Sequence, residues 1–303
     1  MRVVLRGRDG AGDQSRRVPP RAGGAGRPPS LRHPRIRVGA EHGPEVSIQA
    51  QQHRDDIVER GSFVVTGAAQ GVGRAIAEVL ARTGPVVVID VVDELGWSHP
   101  DVHFVRGDAA DPTIARLAAD TAEQAAPLVG WVNNAATFKD ASVTTASAPQ
   151  LFELIAANVS LTLTGCHVAV NHFLAHGRPG AIVNVSSHQA QRPVRGALPY
   201  ATAKSAVEGL TRALAVDHGP DGVRTNAVAL GSITTARFDE YRSSHPDVDA
   251  QMAQLHPLGR IGTPAEVADA VAFLLSPRAG FINGVILPID GGRSVNGMDP
   301  EAL

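Results

Sequence analysis

The sequence predicts an α/β fold: a single domain on a doubly wound parallel β-sheet with helices on both faces. Three observations predict it. Short apolar runs of strand character alternate with helical stretches along most of the chain. A glycine-rich turn, Thr66 to Gly73 (TGAAQGVG), joins the first of those runs to an amphipathic helix. The next run, PVVVID, ends in a carboxylate, Asp90. Composition agrees, since the 303 residues are 43% hydrophobic and 19% charged with a formal net charge of −2, as in an ordinary soluble protein. The length allows two domains, but the order of the motifs favours one, over residues 58–303.

The elements follow in order. GSFVVTGAAQGVGRAIAEVLARTG reads as strand, turn and helix. Gly67 permits the tight turn, Gly71 lets the backbone approach a pyrophosphate, and Gly73 lets the helix pack closely on the sheet. Free N–H groups and the dipole at the helix start favour a phosphate there. The spacing is GxxxGxG rather than GxGxxG, and its place between strand and helix is what gives it meaning. About twenty residues on, Asp90 suits the hydroxyls of an adenosine ribose and repels a 2′-phosphate, which favours NAD over NADP. Gln70 points the same way, because a basic residue in its place could pair with that phosphate. The runs VHFVRG, LVGWVN, AIVNVS, VRTNAVA and VILPID supply the remaining strands. Ligands of such sheets bind beyond the carboxyl ends of the strands, where every motif named here falls.

The chemistry is carried by Ser187, Tyr200 and Lys204, in NVSSHQAQRPVRGALPYATAK. Tyr200 and Lys204 are four residues apart, so on a helix both lie on one face. An ammonium beside a phenol favours the phenolate and makes it usable as a general acid or base near neutral pH. Ser187 can hydrogen-bond the same reacting oxygen.

With these motifs the chain resembles the short-chain dehydrogenase/reductase family over roughly residues 58–295. The matching segments are TGAAQGVG, GDAAD (Gly107 to Asp111), WVNNAA (Trp131 to Ala136), AANVS around Asn158, NVSS, YATAK, RTNAVALGSITT, PLGRIGTPAEVADAVAFLLS and GFINGVILPIDGG. The resemblance implies a Rossmann-type fold and a catalytic tetrad of Asn158, Ser187, Tyr200 and Lys204. It implies that Asp108 meets the adenine amine, that Asn133 braces the central sheet, and that Ile233 and Thr235 hold the nicotinamide carboxamide. Gln70, Val72, Ala109, Asn134, Ala135 and Gly231, with Tyr200 and Lys204, complete the implied cofactor site. It further implies a homotetramer, with a homodimer as the fallback. Two positions depart from the family pattern: Ala136 replaces a glycine and Leu230 a proline. The first adds a methyl that crowds the cleft and disfavours positive φ; the second removes a rigid φ.

The expected activity is NAD-dependent hydride transfer between nicotinamide and a secondary alcohol or ketone. Two alternatives are a 3-oxoacyl thioester reductase of fatty-acid type and a non-catalytic NAD-binding sensor or scaffold. Asp90 and Gln70 speak against the first, whose enzymes generally use NADPH; the intact tetrad speaks against the second. Substrate contacts are expected from Thr137, from His188 to Arg195, and from Ala236 to His256, a short helical lid. The single cysteine, Cys166, excludes an intrachain disulfide framework and reads as a buried small hydrophobe. No unbroken apolar run reaches about 18 residues, so no transmembrane helix, no membrane partner and no specific nucleic acid are expected. The twelve histidines show no ligand spacing, and no metal is expected. Residues 1–57 are rich in Arg, Gly and Pro and poor in aliphatics, which predicts a disordered basic tail, an organelle-targeting segment or, the favoured reading, a stretch translated from a start codon assigned too early. The stretch lacks the apolar core of a secretory signal, and the protein is expected in the cytoplasm.

Overall fold

The computed structural model describes residues 61–297. The tail reading for residues 1–57 lies outside them. Seven strands form one parallel sheet: β1 (Ser62–Thr66), β2 (Val86–Asp90), β3 (Val102–Arg106), β4 (Leu128–Asn133), β5 (Gly180–Ser187), β6 (Val223–Leu230) and β7 (Ile286–Ile289). Their order across the sheet is β3-β2-β1-β4-β5-β6-β7. The chain reverses its direction of winding between β1 and β4, which opens a crevice at their carboxyl ends. All seven expected strands are present.

Among the described residues seven α-helices connect and cover them: α1 (Gly71–Leu80), α2 (Pro112–Ala125), α3 (Ala148–Ala175), α4 (Leu198–His218), α5 (Ala236–Ser244), α6 (Val248–Leu255) and α7 (Pro264–Leu275). The strands are apolar on both faces because both faces are covered. On one, Val64, Val87, Trp131 and Ile182 meet the alanine stripe of α2 and Cys166, Ala169 and Phe173 of α3, with Leu210 and Leu214 of α4 packed alongside. On the other, Val65, Val88, Val132 and Val183 meet Ile76 and Leu80 of α1 and Val267, Val271 and Leu274 of α7.

Local sequence sets the helix starts. Asp111 accepts from the Thr113 N–H ahead of Pro112 at the start of α2. Thr263 and Glu266 form a reciprocal capping box on α7. Helix α3 bears on the expectation that no helix crosses a membrane. It is 28 residues long, with a mean hydropathy of 1.3 over its most apolar window, and so is long and apolar enough by composition to cross a membrane. Its small polar residues interrupt every apolar run, so the length of unbroken runs does not reveal its high average. It packs against β4, β5, α2 and α4 and buries Asn158 and Thr162 at 5% and 1% exposure, as a core helix does. The segment after β6 folds into α5 and α6, so the expected helical character is present there.

Candidate active site

The crevice is built first by the glycine turn. Gly67 has φ +67°, and a Cβ added there would lie 2.7 Å from Ala135 Cα, so the turn and the end of β4 approach at backbone distance. A Cβ on Gly73 would overlap the Gly67 carbonyl oxygen, which is why α1 can begin so close to the sheet. Thr66 Oγ1 accepts from the N–H groups of Asn134 at 3.0 Å and Ala135 at 3.1 Å, tying β1 to β4. Gln70 precedes α1 without capping it through its side chain. The first N–H groups of α1, at Gly71, Val72 and Gly73, are thereby left open to an anion.

Asp90 stands at the end of β2. Its Oδ2 accepts from Ala69 N–H in the glycine turn at 2.8 Å, and its Oδ1 from Val91 N–H at 2.8 Å. The carboxylate therefore holds the turn. Trp97, in the loop after β2, donates to Ala69 O at 3.1 Å and lies under the Arg74 guanidinium at 5.4 Å. Sequence reading missed this brace, since nothing local to Trp97 marks a contact 28 residues back. Asp108 lies just after β3, with its Oδ1 accepting from Ala110 N–H at 2.8 Å, and Ala109 is buried beside it. Asn134 Nδ2 donates to the Thr66 and Gly67 carbonyls at 3.1 and 2.7 Å, so that amide group shapes the turn. Across the crevice, Gly231 follows β6, and Ile233 bridges to Gly262. Thr235 caps α5, with its Cγ2 3.8 Å from where a Cβ of Gly71 would stand. The loop after β6 thus faces the glycine turn. Among the described residues no non-glycine has positive φ, so Ala136 is accommodated without backbone strain.

The reacting groups lie at the ends of β5 and α4. Ser187 is the last residue of β5, 7% exposed, with its Oγ accepting from Gln189 N–H at 3.2 Å. Tyr200 sits in the first turn of α4, its ring 4.7 Å from Phe138 in the loop after β4. Lys204, one turn on, is 2% exposed, with Nζ 5.5 Å from the Tyr200 ring centroid and donating to Val185 O at 2.7 Å. Burial pushes the Lys204 ammonium down to about 8, low enough to titrate near physiological pH yet still mostly charged at neutrality. Asn158, buried on α3, is locked to Thr137: Nδ2 donates to Thr137 O at 3.0 Å and Oδ1 accepts from its N–H at 2.9 Å. It pins the loop that carries Phe138.

Behind this edge lies a polar cluster that sequence did not reveal. His188 Nδ1 donates to Leu230 O at 3.1 Å. Arg293 Nη1 donates to Ser232 Oγ at 2.7 Å, and Ser232 N–H to His256 Nε2 at 3.3 Å. Arg192 Nε donates to Ser294 O at 2.5 Å, across 102 residues. These pairings depend on the fold, and no local motif announces them.

The histidine reading needs one correction. His172 and His176 are one helical turn apart, and with Glu123 they offer ligand atoms within 4.8 Å of one another. Spacing of four on a helix is ligand spacing, which the scattered distribution of the other histidines masked. Arg178 already occupies that carboxylate at 2.6 Å, and Leu128 N–H at 3.0 Å shares it.

A parallel sheet with a glycine turn at its switch point, and a Tyr-Lys pair beside a strand-end serine, defines a nucleotide-dependent oxidoreductase. The comparisons agree. Residues 67–294 match the family model described as enoyl-(acyl carrier protein) reductase. The chain is 38% identical to cis-4-hydroxycyclohexanecarboxylate dehydrogenase of Sinomonas cyclohexanicum over 245 residues, covering 76% of this chain and 94% of that protein. It is 36% identical to L-fucose dehydrogenase of Oryctolagus cuniculus over 248 residues, covering 78% and 86%. The structure of ligand-free aldohexose dehydrogenase from Thermoplasma acidophilum superposes with a TM-score of 0.72 at 30% identity, over 80% of this chain and 98% of that one. The chain belongs to the short-chain dehydrogenase/reductase family and is an oxidoreductase of that family.

Proposed function

We propose that the protein is an NAD-dependent dehydrogenase that interconverts a secondary alcohol and its ketone, with Tyr200 as the proton carrier. The observation that carries this reading is the buried Lys204 ammonium one turn from Tyr200, at the same sheet edge as Ser187. In the oxidation direction the Tyr200 phenolate accepts the alcohol proton. Lys204 favours that phenolate by its charge, and Ser187 orients the substrate oxygen. Asn158 fixes the loop beneath Phe138, so the wall of the site keeps its shape as substrate enters.

The residues present fit a dinucleotide. The uncapped start of α1 suits the pyrophosphate, Asp90 the adenosine ribose, Asp108 and Ala109 the adenine, and Ile233 and Thr235 the carboxamide. When bound, the nicotinamide supplies the hydride acceptor. Asp90 favours NAD because a 2′-phosphate would bring two negative charges within a few ångströms. The same preference disfavours the fatty-acid-type 3-oxoacyl reductase reading. The cis-4-hydroxycyclohexanecarboxylate and L-fucose dehydrogenases, both acting on carbinols by their names, support CH–OH oxidation. The reading extends to a homotetramer, since α3 and α4 leave Phe152, Leu163, Leu174 and Val216 exposed at 71, 47, 42 and 76%.

The test is a panel of secondary alcohols, polyols and hydroxy acids assayed with NAD and NADP by absorbance of the reduced nicotinamide. NAD is expected to bind at least about tenfold more tightly than NADP. Asp90→Ala should narrow that ratio while weakening both, because the variant also frees the Ala69 N–H. Equal or tighter NADP binding by the wild type would refute the cofactor assignment.

A further inference from the structure

Among the described residues one trio of side chains offers ligand atoms that all lie within 4.8 Å of one another: Glu123 near the end of α2, His172 in the last turn of α3, and His176 at its C-cap. The two histidines project from one face of the helix, and their rings stack with centroids 4.2 Å apart. Leu128, whose N–H is bonded to Glu123, opens β4, and β5 begins at Gly180. The trio therefore stands at the amino end of the sheet, opposite the crevice and its reacting groups.

The spacing suits a metal ion. His172 Nε2 lies 3.0 Å from Glu123 Oε2. With metal–ligand bonds of about 2.0–2.1 Å, a tetrahedral zinc ion separates its ligand atoms by about 3.3 Å. An ion can thus replace the shared proton with little movement of either group. His176 is exposed, so its ring can swing the remaining distance and solvent reaches the trio directly. The tautomer suits a metal as well. His176 Nδ1 lies 2.9 Å from the His172 carbonyl oxygen, which only an N–H satisfies, so His176 Nε2 keeps its lone pair. The supporting bonds are in place: Glu123 Oε1 accepts from Arg178 Nη2 at 2.6 Å and Oε2 from Leu128 N–H at 3.0 Å, which aims the carboxylate. The carbonyl end of a 28-residue helix favours a cation at the same place. Arg178 opposes the ion by like charge, which keeps the affinity moderate. Two imidazoles and one carboxylate select zinc over magnesium or calcium, which prefer oxygen ligands alone.

We propose that Glu123, His172 and His176 form a zinc site that clamps the end of α2 to the end of α3, with water as the fourth ligand. On binding, the proton that His172 shares with Glu123 leaves to solvent, and Arg178 keeps its bond to Oε1. The site is independent of the reaction, and its test needs no substrate.

The experiment uses the full-length, tag-free protein, stripped with a chelator and dialysed near neutral pH against zinc chloride or magnesium chloride. One equivalent of zinc is expected to bind with a micromolar Kd, and magnesium at the same concentrations is not retained. His176→Ala and His172→Gln should each weaken zinc uptake at least about tenfold. His176→Ala removes only an exposed ring, so it decides the matter if His172→Gln fails to fold. In thermal melts, zinc at about a hundredfold over its Kd should raise the wild-type Tm by at least about 3 °C and that of His176→Ala by less than about 1 °C. Zinc uptake that neither variant weakens belongs to other histidines of the chain and overturns the site. A millimolar Kd, or uptake with no gain in Tm, overturns the clamp.

Discussion

Two polar clusters lie along the same strand, β5, and they differ in one respect. In the middle of the strand, Asn184 Oδ1 accepts from Asn133 Nδ2 at 2.8 Å, and Asn184 Nδ2 donates to Thr211 Oγ1 at 3.0 Å. Trp131 Nε1 donates to Asn133 Oδ1 at 2.8 Å, and Thr211 Oγ1 donates to Val207 O at 2.8 Å. Cys166 joins through its Sγ, at 3.3 Å from Asn133 Nδ2; burial pushes its thiol up to about 12, so it stays protonated and inert. Each side-chain polar group of that cluster has a partner. At the carboxyl end of the strand, two atoms after Ser187 have none, and a lysine is buried where charge is costly. The satisfied cluster joins β4, β5, α3 and α4 into a scaffold. The other, beside Ser187, holds two buried atoms that lack partners.

Lys204→Met should break the comparison most sharply. Turnover is expected to fall at least about a hundredfold, because the phenol of Tyr200 loses its neighbouring charge. Stability should hold or rise, since a buried ammonium is replaced by an apolar chain of similar length. The pH dependence has a definite sign. The folded-state value of Lys204, about 8, lies below its ordinary 10.5. Below about 8 both folded and unfolded chains hold the proton and the burial penalty is complete. Between 8 and 10.5 the unfolded chain binds more protons, so wild-type stability should gain on the variant as pH rises. Denaturant melts of both proteins from pH 7 to 10 check this.

Asn184→Leu should give the opposite outcome. It strips partners from Asn133, Thr211 and Cys166 within the core. The expected cost is about 2–4 kcal/mol of unfolding free energy. Turnover per folded molecule should stay within about threefold. Chemical denaturation with active-site titration would separate the two effects.

A smaller effect is expected far from the site. Burial opposes ionisation of Glu123, but hydrogen bonds from Arg178, Leu128 N–H and His172 outweigh it and hold the carboxyl at about 2. Its stabilising contribution is complete above its ordinary 4.5 and is lost as pH falls toward 2. Glu123→Gln should cost on the order of 1 kcal/mol at pH 7 and flatten the acid limb of the stability curve, with no effect on cofactor choice. Thermal melts between pH 3 and 7 measure it.

Much of this was legible in the sequence because it depends on local pattern. The alternation of strand and helix, the turn that needs glycine at Gly67 and Gly73, and the Tyr200–Lys204 spacing all sit within a few residues of one another. The strand-end positions of Asp90 and Ser187 followed from the same periodicity. What escaped was set by distance in the chain. Trp97 on Ala69, Asn158 on Thr137, and Arg293 on Ser232 join residues 28, 21 and 61 apart. The resemblance implied a cofactor role for Asn134; that its amide group also donates to the Thr66 and Gly67 carbonyls, 68 and 67 residues away, was not legible. The orphaned atoms of His188 and Gln189 could not be seen either, since which partners the fold supplies is not written in the local sequence.

The most direct measurement is turnover of Tyr200→Phe at saturating NAD, alongside fluorescence titration of NADH. The substitution keeps the ring against Phe138 and removes only the hydroxyl. The account predicts a fall of at least about a hundredfold in turnover with NADH affinity nearly unchanged. Normal turnover by the variant would contradict it.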